Sequence, residues 1–149
     1  MWFVTAQNMD VHMFLGEYQT KFTGKGRIIL PKIMRQELGE DKMIVLSRGF
    51  EGCIWGFSKR GFEEEARKQL EISSTEEKAR YLRRYLFSSS VPAELDSQGR
   101  FVIPSALLTY AKAGREIVII GCVDHFEVWN SKFWKKHLKI VEKEYGRVS

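Results

Sequence analysis

The chain has 149 residues, 44% of them hydrophobic and 29% charged, with 24 basic and 19 acidic side chains giving a formal net charge of +5. That balance belongs to one ordinary globular domain or two small ones and excludes a disordered chain; no apolar run approaches the ~20 residues of a membrane-spanning helix. The positive excess is compatible with nucleic acid or an acidic surface and by itself singles out neither.

Met1 to His12 has no periodicity and lacks the basic region and cleavage site of a signal peptide. Residues 1–12 read as a loosely ordered extension, and the internal Met13 offers a start alternative to Met1. From Glu17, Tyr18, Thr20 and Phe22 alternate with Gln19 and Lys21, which is strand period. The segment Thr23-Gly24-Lys25-Gly26-Arg27-Ile28-Ile29-Leu30-Pro31 follows. Its glycines suit a short hairpin loop, and its apolar triplet a strand buried on both faces. Pro31 cannot extend a ladder and suits a first helical turn, so a short helix is expected from Pro31 to Leu38, closed by Gly39.

Met43 to Ser47 and Cys53 to Phe57 read as two more strands. Ser58 can cap a helix whose apolar stripe is Phe62, Ala66 and Leu70, with Glu63-Glu64-Glu65 a solvated face matched to the helix dipole. Ser74-Thr75-Glu76-Glu77 has the pattern of a capping box, so a further helix is expected from there to about Phe87. Ala79, Leu82 and Leu86 face its packing side. Arg80, Arg83 and Arg84 make the adjoining face basic, for a neighbouring subunit, intramolecular carboxylates or phosphate.

Asp96-Ser97-Gln98-Gly99-Arg100-Phe101-Val102-Ile103-Pro104 then repeats the earlier segment, with Arg100 standing 73 residues after Arg27. The Gly-Arg pair, the apolar triplet and the proline all coincide at that offset. Asp96 can accept hydrogen bonds from loop amides ahead of it. A helix follows Pro104, then strands Glu116 to Gly121 and His125 to Trp129. Ser131 is placed to cap a last helix with Trp134, Leu138, Val141 and Tyr145 as its buried stripe. The chain is one supersecondary unit built twice, with one residue of slippage near Trp55 and Trp129. The division is 1–12 extension, 13–70 first repeat, 71–90 helical linker and 91–149 second repeat with the C-terminal helix.

A single Gly-Arg hairpin would read as a surface cation on a tight turn. Two copies in one chain favour a shared role, since a guanidinium at a rigid hairpin tip is a good probe for a phosphate or a base edge. Five cations (Lys21, Lys25, Arg27, Lys32 and Arg35) occupy the first copy without a carboxylate, whereas the second has Arg100 with Glu94 and Asp96 nearby. Cys53 and Cys122 are expected as free thiols in a reducing compartment, acting as small core residues. With no Cys-x-x-Cys and no apparent clustering with His12, His125 or His137, a zinc site is not expected. No nucleophile triad, phosphate-cradling Gly-x-x-x-x-Gly-Lys or metal-ligand spacing is present, so an enzyme is not expected, nor any cofactor.

The paired Gly-Arg-x-x-x-Pro hairpins, the start Met13-Phe14-Leu15-Gly16-Glu17-Tyr18, and the run from Ala79 to Phe87 leading into Leu95-Asp96 together resemble the MraZ family. One hairpin alone would resemble only the wider AbrB-like class. The resemblance implies an α+β fold in which two tandem β-α-β AbrB-like repeats form one swapped-hairpin β-barrel with flanking helices. It implies a cytoplasmic, nucleoid-associated homo-oligomeric ring that binds direct repeats on double-stranded DNA. Its expected role is to repress the bacterial division and cell-wall gene cluster, its own gene included. It carries DNA contact onto Lys25, Arg27 and Arg100, where Thr23 replaces the aspartate that the family pattern expects. Lys21, Lys32 and Arg35 are the expected phosphate contacts. No membrane or small-molecule partner is implied. The competing reading is an AbrB-type antitoxin that represses its own operon.

Overall fold

The computed structural model describes residues 13–148, so the expectations for residues 1–12 lie outside it. The first half contributes β1 (Glu17–Lys21), β2 (Arg27–Ile29), α1 (Lys32–Arg35), β3 (Met43–Arg48), β4 (Ile54–Ser58) and α2 (Lys59–Glu71). After α3 (Glu77–Phe87) the second half supplies β5 (Val91–Glu94), β6 (Arg100–Val102), α4 (Ser105–Tyr110), β7 (Glu116–Gly121), β8 (Phe126–Asn130) and α5 (Ser131–Val148). The order of elements repeats, as the sequence period requires.

The halves exchange strands. Six strands form one antiparallel sheet in the order β1-β7-β8-β4-β3-β5, and β2 pairs β6 in a separate two-stranded ribbon. Thus β1 of the first half pairs β7 of the second (Tyr18 opposite Ile119), and β5 pairs β3 (Ala93 opposite Ile44). At the centre β4 pairs β8 through Ile54 and Val128. Matching backbone bonds cross between the halves at the hairpins, Leu30 N–H to Gly99 O and Ile103 N–H to Gly26 O, at 2.9 and 2.8 Å. These ladders do not close into the barrel anticipated from the sequence. Strands β1 and β5 are the edges of an open sheet, and the ribbon stacks on its face without joining it.

The main core lies between the large sheet and the ribbon with its short helices. Ile44, Leu46, Ile54, Ile117, Ile119, Phe126 and Val128 of the sheet meet Ile28, Leu30, Met34, Phe101, Ile103 and Leu107. Gly56 has no room for a side chain there, since an added Cβ would come within 2.1 Å of the Phe126 ring. On the other face α2 lies against β3 and β4, and α5 against β7 and β8. The second cluster there is Cys53, Val118, Ile120 and Trp129, flanked by Trp55, Cys122 and Trp134. Cys53 is buried as expected, but Cys122 is only half-buried.

Several local expectations are corrected. The triplet after each arginine is not buried on both faces: Ile28 and Phe101 point inward, while Ile29 and Val102 are exposed. The α1 helix stops at Arg35, and turns carry the chain to Gly39. Ser58 Oγ does accept the Gly61 N–H, but Gln69, not Leu70, is buried on α2, and Leu70 is exposed. Helix α3 begins at Glu77 without a side-chain cap; Ser73 Oγ instead accepts the Thr75 amide. The cap of α5 is Asn130, whose Oδ1 accepts from the Lys132 and Phe133 amides, while Ser131 Oγ turns to Gln19 Oε1. Tyr145 is exposed, so the packing stripe of α5 is shorter than its periodicity suggests.

The connection between halves is fastened through backbone oxygens. Arg80 reaches the carbonyls of Ser74 and Thr75, and Arg83 those of Gln69 and Ile72, not carboxylates. Arg48 at the end of β3 donates to the Tyr85 carbonyl and the Ser88 hydroxyl, with its guanidinium 4.6 Å from the Tyr85 ring centre. Tyr85 and Tyr110 share the Gly49 carbonyl. Two residues of the first half (Arg48 and Gly49), two of the connection (Tyr85 and Ser88) and one of the second (Tyr110) therefore meet at one point.

Candidate nucleic-acid interface

The ribbon β2–β6 is only three residue pairs long, and its outer face is set by its register. Arg27 lies opposite Val102, and Ile29 opposite Arg100. Side chains alternate across a strand, so burying Ile28 and Phe101 turns these four residues outward together. The two arginines are diagonal across this face, with Cα atoms roughly 8 Å apart for ordinary strand spacing. Two guanidinium groups bracketing two exposed β-branched side chains make a narrow cationic surface with an apolar middle.

Both hairpins need glycine before the arginine. Gly26 and Gly99 have φ of +72° and +83°, conformations that disfavour a side chain. The loops differ in what they do with the arginine. In the second, Asp96 Oδ1 accepts the amides of Gln98 and Arg100 at 2.8 and 2.9 Å, and Oδ2 accepts Arg100 Nε at 2.7 Å. The Arg100 amide is the largest influence lowering the Asp96 pKa, which the Arg100 side chain and the Gln98 amide help bring to about 2 despite some desolvation. In the first loop Thr23 supplies no carboxylate, and its hydroxyl makes only a 3.5 Å contact to the Arg27 carbonyl. Arg27 is exposed, and among the described residues no carboxylate pairs with it. The two arginines that look alike in sequence are therefore one free and one clamped.

The five cations of the first copy are divided by the strand exchange. Lys21, Lys25 and Arg27 are exposed at the first hairpin. Lys32 and Arg35 lie instead beside the second, where they line a cavity of about 210 Å³ with Asp96, Ser97 and Gly99. Lys32 is exposed, but Arg35 is half-buried: its Nη1 donates to the Gln98 carbonyl at 3.3 Å, and its side chain lies where a Gly99 Cβ would be. Arg35 is thus a stitch between the halves as well as a cation. Contiguity in sequence gave no hint of this, because the partner of Leu30 is Gly99 and not its own loop.

A second polar constellation, also unforeseen, lies on the opposite face. Cys122, His125 and Glu127 bring ligand-type atoms within 4.8 Å of one another, a set that could in principle hold a transition-metal ion. Their present partners are one another and the side chains around them. His125 has Nδ1 at 2.7 Å from Asp124 and Nε2 at 2.9 Å from Glu127, while Glu127 accepts the indole N–H groups of Trp55 and Trp129. Burial lowers the His125 pKa, but hydrogen bonds with Cys122, Glu127 and Asp124 outweigh it and raise it to about 10. Burial likewise raises the Glu127 pKa, and its bonds to His125 and Trp129 prevail and lower it. Cys122, His125 and Glu127 stand within six positions of one another in the sequence, but the arrival of Trp55 beside them depends on the pairing of β4 with β8.

The MraZ family, described as "MraZ protein, putative antitoxin-like", matches the chain in two successive copies, at residues 13–85 and 86–145. A protein of Halothermothrix orenii named transcriptional regulator MraZ is 36% identical over 137 residues, covering 92% of this chain and 94% of that protein. Proteins of the same name from Roseiflexus castenholzii and Caldicellulosiruptor bescii are 38% and 39% identical. They cover 87% and 85% of this chain, and 90% and 87% of their own lengths.

Proposed function

The chain belongs to the MraZ family, and on that footing we propose that it is a DNA-binding transcriptional regulator, not an enzyme, that reads duplex DNA with the outer face of its β2–β6 ribbon. The observation that carries this reading is the exposed, carboxylate-free Arg27 on a face it shares with Arg100, Ile29 and Val102. A major groove admits a two-stranded ribbon, an arginine pairs best with guanine, and a β-branched side chain suits a thymine methyl. Lys25 extends the reading tip. Lys21, Lys32 and Arg35 position the protein on phosphates, Lys32 and Arg35 at the second hairpin and Lys21 at the first. Residues 13–70 and 91–149 act as the two units, joined by 71–90.

A ribbon three pairs long reads only a few base pairs. Specific binding therefore calls for several subunits on regularly spaced direct repeats. A ring-shaped homo-oligomer answers that need, and avidity then raises affinity by ~10²–10⁴ without new contacts. Exposed Leu70, Ile140, Phe133 and Tyr145 on α2 and α5 leave apolar surface for such assembly. In this reading the protein acts in the cytoplasm on the nucleoid and represses the division and cell-wall cluster, its own gene included, by occupying the promoter.

The test is a gel-shift titration of the wild type and Arg27→Ala with the DNA upstream of its own gene. The variant should lose about 1–3 kcal/mol per site and its preference over scrambled duplex. Undiminished, still selective binding would reject Arg27 as the reader. The antitoxin alternative predicts instead that a small nuclease co-purifies with the protein.

A further inference from the structure

The first hairpin does not end the cationic surface. Because β1 pairs with β7, Lys21 is brought beside residues of the second half that lie far away in sequence. A cavity of about 490 Å³ is lined by Lys21, Arg115 and Lys132, with Glu116 the one carboxylate among the described residues that line it. A second, of about 200 Å³, carries Lys135 on from Lys21 and Glu116. Lys21, Arg115, Lys132 and Lys135 are all exposed, and among the described residues none of these four side chains is paired with a carboxylate. Clustered cations left unneutralised raise the local potential until an anion joins them.

The equivalent position in the first repeat serves as an internal comparison. Duplication places a cavity of similar size, about 500 Å³, where α2 begins, and there Glu37, Glu40, Asp41 and Glu63 surround Lys59 and Arg60. The same fold therefore presents a basic hollow at the start of α5 and a predominantly acidic one at the start of α2. The basic hollow borders the hairpin whose arginine is free. Gly24 at the tip lies three positions beyond Lys21, at most ~11 Å of chain, so a duplex seated on that tip has backbone within reach of the hollow.

Resting on the reading of the ribbon as the DNA-binding face, we propose that Arg115, Lys132 and Lys135 of the second half form a phosphate-binding shelf, continuous through Lys21 with the first hairpin. Each DNA contact is thus a composite of both halves, and the duplex backbone runs from the β1–β2 tip past the start of α5.

The experiment is fluorescence anisotropy of the full chain, across a salt series, with the duplex from upstream of its own gene and with a scrambled duplex of equal length. The proteins are the wild type, Arg27→Ala, the double variant Arg115→Gln/Lys132→Gln and the double variant Lys59→Gln/Arg60→Gln. Size-exclusion chromatography checks that assembly is unchanged. Losing two phosphate contacts per subunit should lower the slope of log K against log salt by about 2 for each DNA-bound subunit, and weaken both duplexes by the same factor. Lys59→Gln/Arg60→Gln should match the wild type. The shelf is overturned if Arg115→Gln/Lys132→Gln keeps the wild-type slope and affinity while Arg27→Ala loses the upstream duplex. It is equally overturned if the loss is confined to that duplex, since that would be base reading. Failure of the wild type to bind either duplex at low salt would instead overturn the regulator reading, and the shelf with it.

Discussion

At the scale of single residues, the difference between Thr23 and Asp96 matters most. Both hairpins share glycine, arginine and proline at equal spacing, yet only the carboxylate of Asp96 can receive two loop amides and a guanidinium at once. Replacing it by a hydroxyl leaves Arg27 nothing to fold back upon. Thr23→Asp should therefore rebuild the clamp on the first hairpin and withdraw Arg27 from DNA. The pair would be exposed and so individually weak, but the change also adds a negative charge at the tip. Anisotropy titration should find upstream-duplex binding weakened about 3- to 10-fold, with the folded structure intact by circular dichroism. Unaltered binding would mean that the clamp does not govern the availability of Arg27.

At the scale of elements, the turn between β7 and β8 is held by charge buried among aromatic rings. His125 lies 5.0 Å from the Trp55 ring and bonds two carboxylates, so its protonated form is favoured in the folded chain and not in the unfolded one. A folded pKa of about 10 against an ordinary 6.5 gives a stabilising effect that is complete below pH 6.5 and lost as pH rises through 10. Thermal melts should show a falling Tm between pH 7 and 10 in the wild type. In His125→Gln that fall should be reduced, with a lower Tm at pH 6. An identical pH profile in both proteins would remove His125 from this role. Trp55 and Trp129 donate to Glu127, so their fluorescence should report the same transition.

At the scale of the whole molecule, each half completes the other. Among the described residues, strand β1 has its ladder with β7, β5 with β3, and β2 with β6. Ile28 and Phe101, fully enclosed in the common core, belong to different halves. A half of this size standing alone would leave those edges and that core open. Residues 13–88 and 89–148 expressed separately should thus be unfolded or aggregated, and should regain sheet signal on mixing at equimolar ratio. Two independently folded, monomeric fragments would contradict the exchange.

The sequence by itself determined the duplication, the order of elements, the turn glycines and the pair of arginines, because these rest on local periods and on backbone conformations that glycine and proline impose within a few residues. The family resemblance was legible for the same reason. Only the tertiary structure decided that Lys32 and Arg35 serve the second hairpin, that Arg100 is clamped while Arg27 is free, and that Arg115 and Lys132 border the first hairpin. It also decided that the two sheets stay separate and that Trp55 reaches the Cys122–His125–Glu127 node. Each of these depends on which half supplies a strand's neighbour. Two similar repeats can pair with themselves or with each other using the same local pattern, and the choice is made by burial of a shared core across many tens of residues.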